Sequence, residues 1–427
     1  MLNKKIMKLS IKENSKNYVC TVVEIKNLFP IEGADKIQRT TIYGNNVVVS
    51  KNVKIGDKML YFVSGTKLNE DFCRYNNLLT DAEQNKDKVK GYISHKQFRV
   101  KAIKLKGIIS DGILLPLSSL SLWLLPDERY NELKVGDEFT DINNVSLCEK
   151  YFVPVRNSNP GGKAPNKVGS RVQDVLIQGQ FHFHTDTTHF VKSQHLFNQD
   201  SEIIITRKIH GSSLILSNVL VKKNLSIKEK ILNFLGATIP KEEYGYVWSS
   251  GKPKSKLPKG VESSTNKWET PNQSFYNTDI WVRAYIELRH KLEKGISIYA
   301  EIVGKGIQGD LFTYNQDYGI YVYRITSTNI DGQVYEFSWE QIKDYCNKYD
   351  INYVQEYFVG KVRELTNDNL LEYLQDKYLN KSYPDCKIDE GICIRLRENN
   401  EIFKLKSPNF IKMESDNQEN DVQEFES

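Results

Sequence analysis

The stretch Ile203-Ile-Ile-Thr-Arg-Lys-Ile-His-Gly-Ser-Ser213 joins an apolar strand directly to a lysine and a turn of small residues. Burial at the end of a strand lowers the pKa of a lysine, because desolvation disfavours its ammonium form. A lysine that can lose its proton can act as a nucleophile. The stretch therefore predicts a catalytic Lys208, and the alternative is an ordinary surface lysine beside a turn.

A second strand carries a single carboxylate ahead of a glycine-rich turn. It is Ile298-Tyr-Ala-Glu-Ile-Val-Gly-Lys-Gly-Ile-Gln-Gly309, and its carboxylate is Glu301. Glycines allow a backbone to approach a ligand closely, and a carboxylate can bind a ribose hydroxyl or a metal ion. Because glycine-rich turns after strands are frequent, this strand indicates a site only in combination with Lys208.

A hairpin is predicted towards the end of the chain. Its two strands are Glu390-Gly-Ile-Cys-Ile-Arg395 and Ile402-Phe-Lys-Leu-Lys406. Period-two alternation puts Lys404 and Lys406 on one face of the second strand. Since two like charges on one face repel each other, we expect either an anion between these lysines or a solvated strand face.

The first part of the chain is a series of short apolar segments separated by glycine, aspartate and asparagine turns. Five such segments between Tyr18 and about Leu120 predict strands of a small β-barrel. The fourth predicted strand carries a basic strip made of Arg99, Lys101 and Lys104. Barrels of this type commonly bind single-stranded or nicked nucleic acid on such a face, and a solvated face is the alternative.

Composition places the chain among globular proteins. It has 427 residues, of which 39% are hydrophobic and 26% charged, which favours two or three domains and excludes a disordered chain. No apolar stretch reaches bilayer length and no secretory signal is present, so we expect a cytoplasmic protein without a membrane partner. The six dispersed cysteines are expected to be reduced. The net charge of +5 suits a polyanionic partner.

The expected fold class is α+β. Residues 1–150 are predicted to form a small β-barrel domain, and residues 168–412 a domain that mixes strands with helices and includes a helix from Thr278 to Glu293. Residues 151–167 are interpreted as a linker, because they are rich in Pro, Gly and Asn without periodicity. Residues 413–427 contain six acids and no base, and we expect them to be disordered.

The order of the charged motifs gives them a common interpretation. A lysine, a strand glutamate, Glu-Gly-Ile-x-Ile-Arg and Lys-x-Lys resemble the adenylyltransferase motifs of ATP-dependent RNA and DNA ligases and of messenger-RNA capping enzymes. Lys208-Ile-His-Gly211 is most similar to the RNA ligases related to the second RNA ligase of phage T4. Residues 24–37 and 99–116 resemble the oligonucleotide-binding (OB) module that precedes the catalytic domain in Deinococcus-type RNA ligases. The resemblance implies an OB-type β-barrel in residues 1–150 and a catalytic domain of antiparallel sheets and helices in residues 168–412. The resemblance covers most of residues 18–410.

This resemblance implies an RNA ligase that uses ATP and Mg²⁺ or Mn²⁺ and seals RNA or RNA-containing nicked duplexes. Lys208 would become adenylylated, with Lys404 and Lys406 holding the α-phosphate and lowering the pKa of Lys208. Glu301 and Glu390 would contact the nucleotide and the metal ion. The other nucleotide-binding residues that it implies are Arg207, Ile209, Gly211, Tyr321 and Tyr323, with Tyr321 and Tyr323 as alternatives for stacking on adenine.

The chain departs from this family pattern at two positions. Relatives usually carry an arginine in the short motif that corresponds to Val247-Trp-Ser-Ser-Gly-Lys252, and this chain offers Lys252 or Lys254 instead for the nucleic-acid contact. Arg207 stands where many relatives have an acid. The contact to the 5′-phosphate and the selectivity for the base are therefore expectations that rest on the resemblance alone.

Two other functions compete with the ligase. His182, His184, His189 and His195 are close in sequence and could form the metal site of a zinc-dependent hydrolase. Loss of the motif arginine would suit a non-catalytic RNA-binding protein derived from a ligase. The presence of every other charged motif residue favours catalysis. A monomer is the default expectation.

Overall fold

The computed structural model describes residues 7–124, 129–152, 172–184, 186–251, 258–269, 279–308, 315–386 and 388–423. The chain forms two compact units, one made of Met1–Arg156 with Lys406–Ser427 and the other of Asn157–Leu405. Beyond Phe152, the predicted linker at 151–167 lies outside the described residues. No helix among the described ranges is long and apolar enough to cross a membrane.

The first unit consists mainly of short antiparallel strands. Its elements are β1 Leu9–Ser10, β2 Cys20–Glu24, β3 Phe29–Pro30, β4 Ile37–Ile42, β5 Asn45–Ser50, β6 Lys58–Phe62, β7 Thr66–Leu68, α1 Glu70–Tyr75, β8 Ala102–Leu105, β9 Ile108–Asp111, β10 Ile113–Pro116, α2 Ser119–Trp123, β11 Glu138–Phe139, β12 Asp141–Ile142, β13 Val145–Ser146 and β14 Cys148–Lys150.

A four-stranded sheet in the order β10-β6-β2-β11 lies at the centre of this unit. The inward residues of its strands are apolar and almost fully buried, among them Val22, Leu60 and Phe62. Their neighbours Val23, Met59 and Tyr61 are buried as well, in a second apolar cluster, so these strands are covered on both faces. The predicted strands near residues 20, 48, 60 and 114 are therefore present as β2, β5, β6 and β10.

The fourth predicted strand is shorter than expected. It begins only at Ala102, because residues 98–100 form backbone hydrogen bonds with residues 65–68 instead of continuing the strand that pairs with β9. Arg99 is 4% exposed and its guanidinium lies over the ring of Tyr151, 5.1 Å from the ring centre. The predicted basic strip is thus reduced to Lys101 and the exposed Lys104, and Arg99 is a buried residue.

The acidic tail also differs from its prediction. A helix, α7, runs from Pro408 to Gln423 where disorder was expected from residue 413. Phe410 is fully buried, and the Ser415 hydroxyl accepts a hydrogen bond of 3.1 Å from the backbone N–H of Ala102. Burial of these two side chains against the first unit stabilises a helix that the composition alone would not support.

The second unit contains two larger sheets. Its elements are β15 Thr188–His189, β16 Glu202–Lys208, β17 Ser212–Lys222, α3 Ile227–Phe234, β18 Glu242–Ser250, β19 Gly260–Glu262, β20 Lys267–Glu269, α4 Ile280–Leu288, β21 Ile296–Val303, β22 Gly319–Thr328, β23 Val334–Glu336, α5 Trp339–Lys348, β24 Glu356–Lys361, α6 Leu370–Tyr378, β25 Gly391–Leu396 and β26 Ile402–Lys406.

The seven-stranded sheet has the order β20-β19-β18-β17-β21-β22-β23 and the five-stranded sheet the order β15-β26-β25-β16-β24. The short β15–β26 pair is parallel, β16 is antiparallel to both β24 and β25, and all neighbouring strands of the seven-stranded sheet are antiparallel in the described residues. Helices α4 and α5 bury residues such as Ala284 and Ile342 in the same core as Leu216 and Ile298. The two sheets carry the predicted motif residues on β16, β21, β22, β25 and β26.

The predicted helix at 278–293 is present as α4, but it is shorter. The Asp279 side chain caps its start by accepting hydrogen bonds from the backbone N–H groups of Trp281 and Val282. After Leu288 the chain tightens into a 3₁₀ turn and reaches Gly295, which has a positive φ of 82°. This turn directs the chain into β21, the strand that carries Glu301.

Candidate active site

Lys208 is the last residue of β16 and forms an ion pair with Glu390. Its Nζ lies 2.9 Å from Oε1 of Glu390, whose side chain is only 4% exposed. The register of the sheet explains this contact, because Lys208 lies opposite Gly391, the residue after Glu390. The contact brings the predicted nucleophile together with the carboxylate of the later motif.

Glu301 supplies a second carboxylate on the facing seven-stranded sheet. The Ser213 hydroxyl donates a hydrogen bond of 2.9 Å to Oε1, while the buried Oε2 has no hydrogen-bond partner. Burial raises the pKa of Glu301 to about 7, although the charge of Lys208 and the Ser213 hydrogen bond act in the opposite direction. A buried oxygen with a free lone pair is suited to a ligand that donates a hydrogen bond or coordinates.

The protonation of Lys208 differs from the sequence prediction. Burial acts to lower its pKa, but the charges of Glu390, Cys393 and Glu301 outweigh burial and raise the pKa above its usual value. The sequence indicates burial and neighbouring lysines, both of which lower the pKa of a lysine. It does not show the ion pair with Glu390, which raises this pKa. In this structure Lys208 is therefore an ammonium ion, and it must lose a proton before it can act as a nucleophile.

Two tyrosines of β22 line the same region. Tyr321 and Tyr323 lie on one face of the strand, and Tyr321 is opposite Glu301 in the sheet. The Tyr321 hydroxyl donates to the side chain of Gln316, 3.2 Å away. Burial raises the pKa of the Tyr323 phenol well above its usual value, and the neighbouring charges of Glu301 and Cys393 add to this rise. The Tyr323 ring contacts His184, and its backbone oxygen accepts a hydrogen bond from Arg395 of the five-stranded sheet; these contacts favour Tyr323 over Tyr321 as an aromatic surface for a base.

The two predicted lysines of β26 are placed in different units. Lys404 lies opposite His189 in the five-stranded sheet, and its charge lowers the pKa of Cys393 against a rise caused by burial. Lys406 begins the segment that belongs to the first unit, where its Nζ lies 2.9 Å from a carboxylate oxygen of Glu414. The structure thus associates Lys404 with the residues around Lys208 and pairs Lys406 with an acid of α7.

Arg207 and Ile209 flank Lys208 and point away from its face of the strand. The Arg207 guanidinium forms two hydrogen bonds of 2.9 and 3.0 Å with Asp385 and lies 3.7 Å from the ring centre of Tyr383. Ile209 is 6% exposed and belongs to the apolar core. Their side chains are thus held by protein partners, and the nucleotide contacts expected of both residues stay predictions.

Gly211 allows a close approach of two strands. A Cβ atom at this position would lie 2.4 Å from the backbone oxygen of Ile302, so only glycine fits. The Gln308 amide donates a hydrogen bond of 3.0 Å to the Gly211 carbonyl oxygen. Gly211 therefore shapes the backbone after Lys208 through its lack of a side chain.

The other candidate residues are placed as follows. Lys252 and Lys254 lie outside the described residues. His182 has a ring nitrogen 2.8 Å from the Gly179 carbonyl oxygen, and the ring of His184 contacts Tyr323 with 5.5 Å between centroids. In the parts of the chain that the structure describes, no group of three or more His, Cys, Asp and Glu residues could hold a metal ion. The hydrolase alternative therefore has no zinc cluster in these parts to support it.

Sequence reasoning missed two residues of this region, Ser213 and Cys393. Ser213 holds Glu301 in place, and Cys393 lies two residues beyond Gly391 on the face of β25 that also carries Lys208 across the sheet. Period-two alternation from Gly391 could have identified Cys393. The Ser213 contact depends on the pairing of β17 with β21, which no local pattern predicts.

Comparison with known proteins gives two family matches. A model described as RNA ligase matches residues 201–406, and a model described as an OB-fold domain matches residues 19–117. No curated protein sequence matches the chain.

Solved structures of the RNA ligase of Naegleria gruberi are similar to the chain over nearly its whole length. An apo mutant gives a TM-score of 0.59 at 17% identity and covers 95% of this chain and 100% of its own. A lysine-to-methionine mutant with AMP and Mn gives 0.57 at 17% identity, with 92% and 98% covered. The ligase with pyrophosphate gives 0.57 at 17% identity, with 95% and 100% covered. At this identity the likeness concerns the fold.

Proposed function

We propose that the protein uses ATP to join the 3′-hydroxyl and 5′-phosphate ends of RNA. The proposal is supported by the match of residues 201–406 to the RNA ligase model and of residues 19–117 to the OB-fold domain model. The observation that carries this proposal is the position of Lys208, whose amine forms a 2.9 Å ion pair with the buried Glu390 and whose pKa is also raised by the charge of Glu301 on the other sheet. A surface lysine beside a turn would not be held in this way.

The proposed reaction has three transfers. The unprotonated amine of Lys208 attacks the α-phosphorus of ATP, forming a phosphorus–nitrogen bond and releasing pyrophosphate. The 5′-phosphate of an RNA end then attacks the same phosphorus, which returns the amine and leaves AMP joined to the RNA through a pyrophosphate linkage. Finally the 3′-hydroxyl of the other end attacks the 5′-phosphate, loses its proton and displaces AMP. In such transfers positioning and charge neutralisation supply most of the catalysis.

The acidic residues fit a divalent cation. Glu390 and Glu301 are buried carboxylates near Lys208, and Oε2 of Glu301 has no protein partner. A cation such as Mg²⁺ is commonly bound by one or two carboxylates together with waters and substrate phosphates. When bound, the cation would neutralise phosphate charge and weaken the hold of Glu390 on the Lys208 proton. ATP and Mn are present in the Naegleria gruberi ligase structures, which supports the same cofactors here.

The experiment that tests the function follows radioactive AMP. The full chain is incubated with ATP labelled at the α-phosphate and with magnesium or manganese, and the denatured protein is examined for label. We expect label on the protein, its loss when pyrophosphate is added, and its transfer to RNA with a 5′-phosphate. A chain that takes up no label with either metal would exclude the ligase and leave the RNA-binding alternative.

The sugar of the 3′-hydroxyl strand should affect sealing. We propose a nicked duplex with an RNA 3′-hydroxyl strand as the substrate, since the OB-fold domain suits a nucleic-acid partner. Replacing its terminal ribonucleotides by deoxynucleotides should slow sealing about tenfold or more, because each 2′-hydroxyl contact contributes about 1 kcal/mol. Equal rates on all-DNA nicks would contradict the preference for RNA.

The proposed substrates and the composition of the site indicate the cellular location and the oligomeric state of the protein. ATP and RNA ends occur together inside cells, so we propose a cytoplasmic location. A single chain supplies the lysine and both carboxylates, and we propose a monomer as the active species. Sedimentation of the purified chain with and without nicked RNA measures this state directly.

A further inference from the structure

Arg395 is a buried cation whose hydrogen bonding is incomplete. It lies in β25 with 5% of its surface exposed. One guanidinium nitrogen, Nη2, donates a hydrogen bond of 3.0 Å to the backbone oxygen of Tyr323, while the buried Nη1 has no hydrogen-bond partner. The nearby carboxylate of Glu336 is already bound by Arg324 through three contacts of 2.7 to 3.0 Å.

A buried arginine with this environment is unusual in energetic terms. Transfer of a charge from water into the interior is costly unless an opposite charge or several acceptors replace the lost water. Burial lowers the pKa of Arg395 to about 10, and the charge of Glu336 only partly compensates. The side chain is therefore suited to an acceptor that comes from outside the protein.

The register of the sheet places Arg395 on the same face as Lys208. Gly391, Cys393 and Arg395 of β25 lie opposite Lys208, Thr206 and Ile204 of β16, and directly paired residues of antiparallel strands share a face. Arg395 lies four residues beyond Gly391, about 13 Å along the strand at 3.3 Å per residue. Its bond to Tyr323 shows that it reaches across to the facing sheet.

This distance corresponds to the length of a nucleotide. If the α-phosphate lies at Lys208, the ribose and base extend along the strands past Cys393 towards Arg395. Tyr323 lies at that end, where its backbone oxygen accepts the hydrogen bond from the guanidinium. A donor-only group in this place can bind an acceptor atom of the base, and it repels a ring position that carries its own hydrogen.

We propose that Nη1 of Arg395 donates a hydrogen bond to a ring nitrogen of the adenine base of ATP. Arg395 would then be a specificity-determining residue at the base end of the proposed nucleotide site, which begins at Lys208. The inference rests on the proposed function only in that this site binds ATP. It assigns to the last residue of the Glu-Gly-Ile-x-Ile-Arg motif a contact that neither the sequence analysis nor the family comparisons gave it.

The test is equilibrium binding of ATP analogues to the full chain by calorimetry with magnesium. ATP is compared with its 1-deaza, 3-deaza and 7-deaza forms, each of which lacks one ring nitrogen acceptor. The proteins compared are Lys208→Met and Lys208→Met with Arg395→Met, so that no covalent step disturbs the measurement. We expect one analogue to bind Lys208→Met about ten- to a hundredfold more weakly than ATP, as for a hydrogen bond from a charged donor.

In the double variant, the same analogue should bind as tightly as ATP binds to that variant. Arg395→Met should weaken binding of ATP by a similar factor, because the same hydrogen bond is removed from the other side. Arg395→Lys, which keeps the charge, serves as the second variant and should fall between the two. Arg397→Met is the matched control, because Arg397 is an exposed arginine of the same hairpin, paired with Glu202 at 3.2 Å, and it should leave all four affinities unchanged.

The possible outcomes separate this inference from the ligase itself. The proposed contact would be overturned if each analogue lost the same affinity relative to ATP with and without Arg395. It would also be overturned if ATP did not bind. If ATP binds with the expected pattern but the wild-type chain never becomes labelled, the role of Arg395 stands and the ligase function fails. Thermal unfolding of each variant shows whether a loss of affinity comes from a loss of folded protein.

Discussion

Replacement of Lys208 by methionine should abolish the covalent uptake of labelled AMP, with a loss on the order of 10⁴-fold or more. Methionine has a similar length but no nitrogen that can attack phosphorus, and it removes the amine that pairs with Glu390. Sealing of RNA that already carries AMP on its 5′-phosphate should be far less affected, since that step does not use the amine as a nucleophile. Gel separation of labelled protein and of labelled RNA measures the two steps independently.

Two further variants distinguish chemistry from folding. Methionine leaves the buried Glu390 without its cation, and breaking a buried pair costs about 3–5 kcal/mol. Lys208→Arg keeps the positive charge but cannot be deprotonated, so it should also be inactive. Lys222→Met removes a lysine that ends the neighbouring strand β17, and it should keep wild-type activity. Label on either Lys208 variant would show that another residue is the nucleophile.

The strands and motif residues of the second unit were largely predictable from the sequence. Each motif joins a short apolar strand to a charged residue or a glycine turn, and these are local patterns. Because Lys208 and Glu390 end or precede strands that pair directly, the sheet brings them together as the motif order implied. The distant partner Ser213 was not predictable, since its contact depends on strand pairing across the chain.

The failures have a common physical cause. The pKa of Lys208 was expected to be low because the sequence shows burial but does not show which charges surround the amine. The ion pair of Arg207 with Asp385 was likewise not visible in the sequence, because the two residues are far apart in the chain. The helix at residues 408–423 was missed because its anchor, Phe410, precedes the acidic residues, and the composition of residues 413–427 alone indicates disorder.

Replacement of Glu301 by glutamine should slow formation of the lysyl-AMP intermediate by about 10²- to 10³-fold, the usual effect of removing one group that stabilises charge in an active site. Glutamine keeps the shape and can still accept the hydrogen bond from Ser213. It removes the negative charge that the nucleotide or a cation would contact. Glu262→Gln is a matched control, because Glu262 lies in the same sheet and bonds to Tyr285 at 2.7 Å.

The pH dependence of the wild type gives the sharper test of Glu301. Burial raises the pKa of this carboxyl to about 7, so the group is neutral below that pH and ionised above it. If the ionised form is required, the rate of labelling should rise as the pH increases through about 7, and Glu301→Gln should lack this rise. Higher magnesium should move the midpoint to lower pH, because a cation at the carboxylate competes with the proton. A glutamine variant that keeps the full pH profile and its magnesium dependence would assign the titration to another group and remove Glu301 from the reaction.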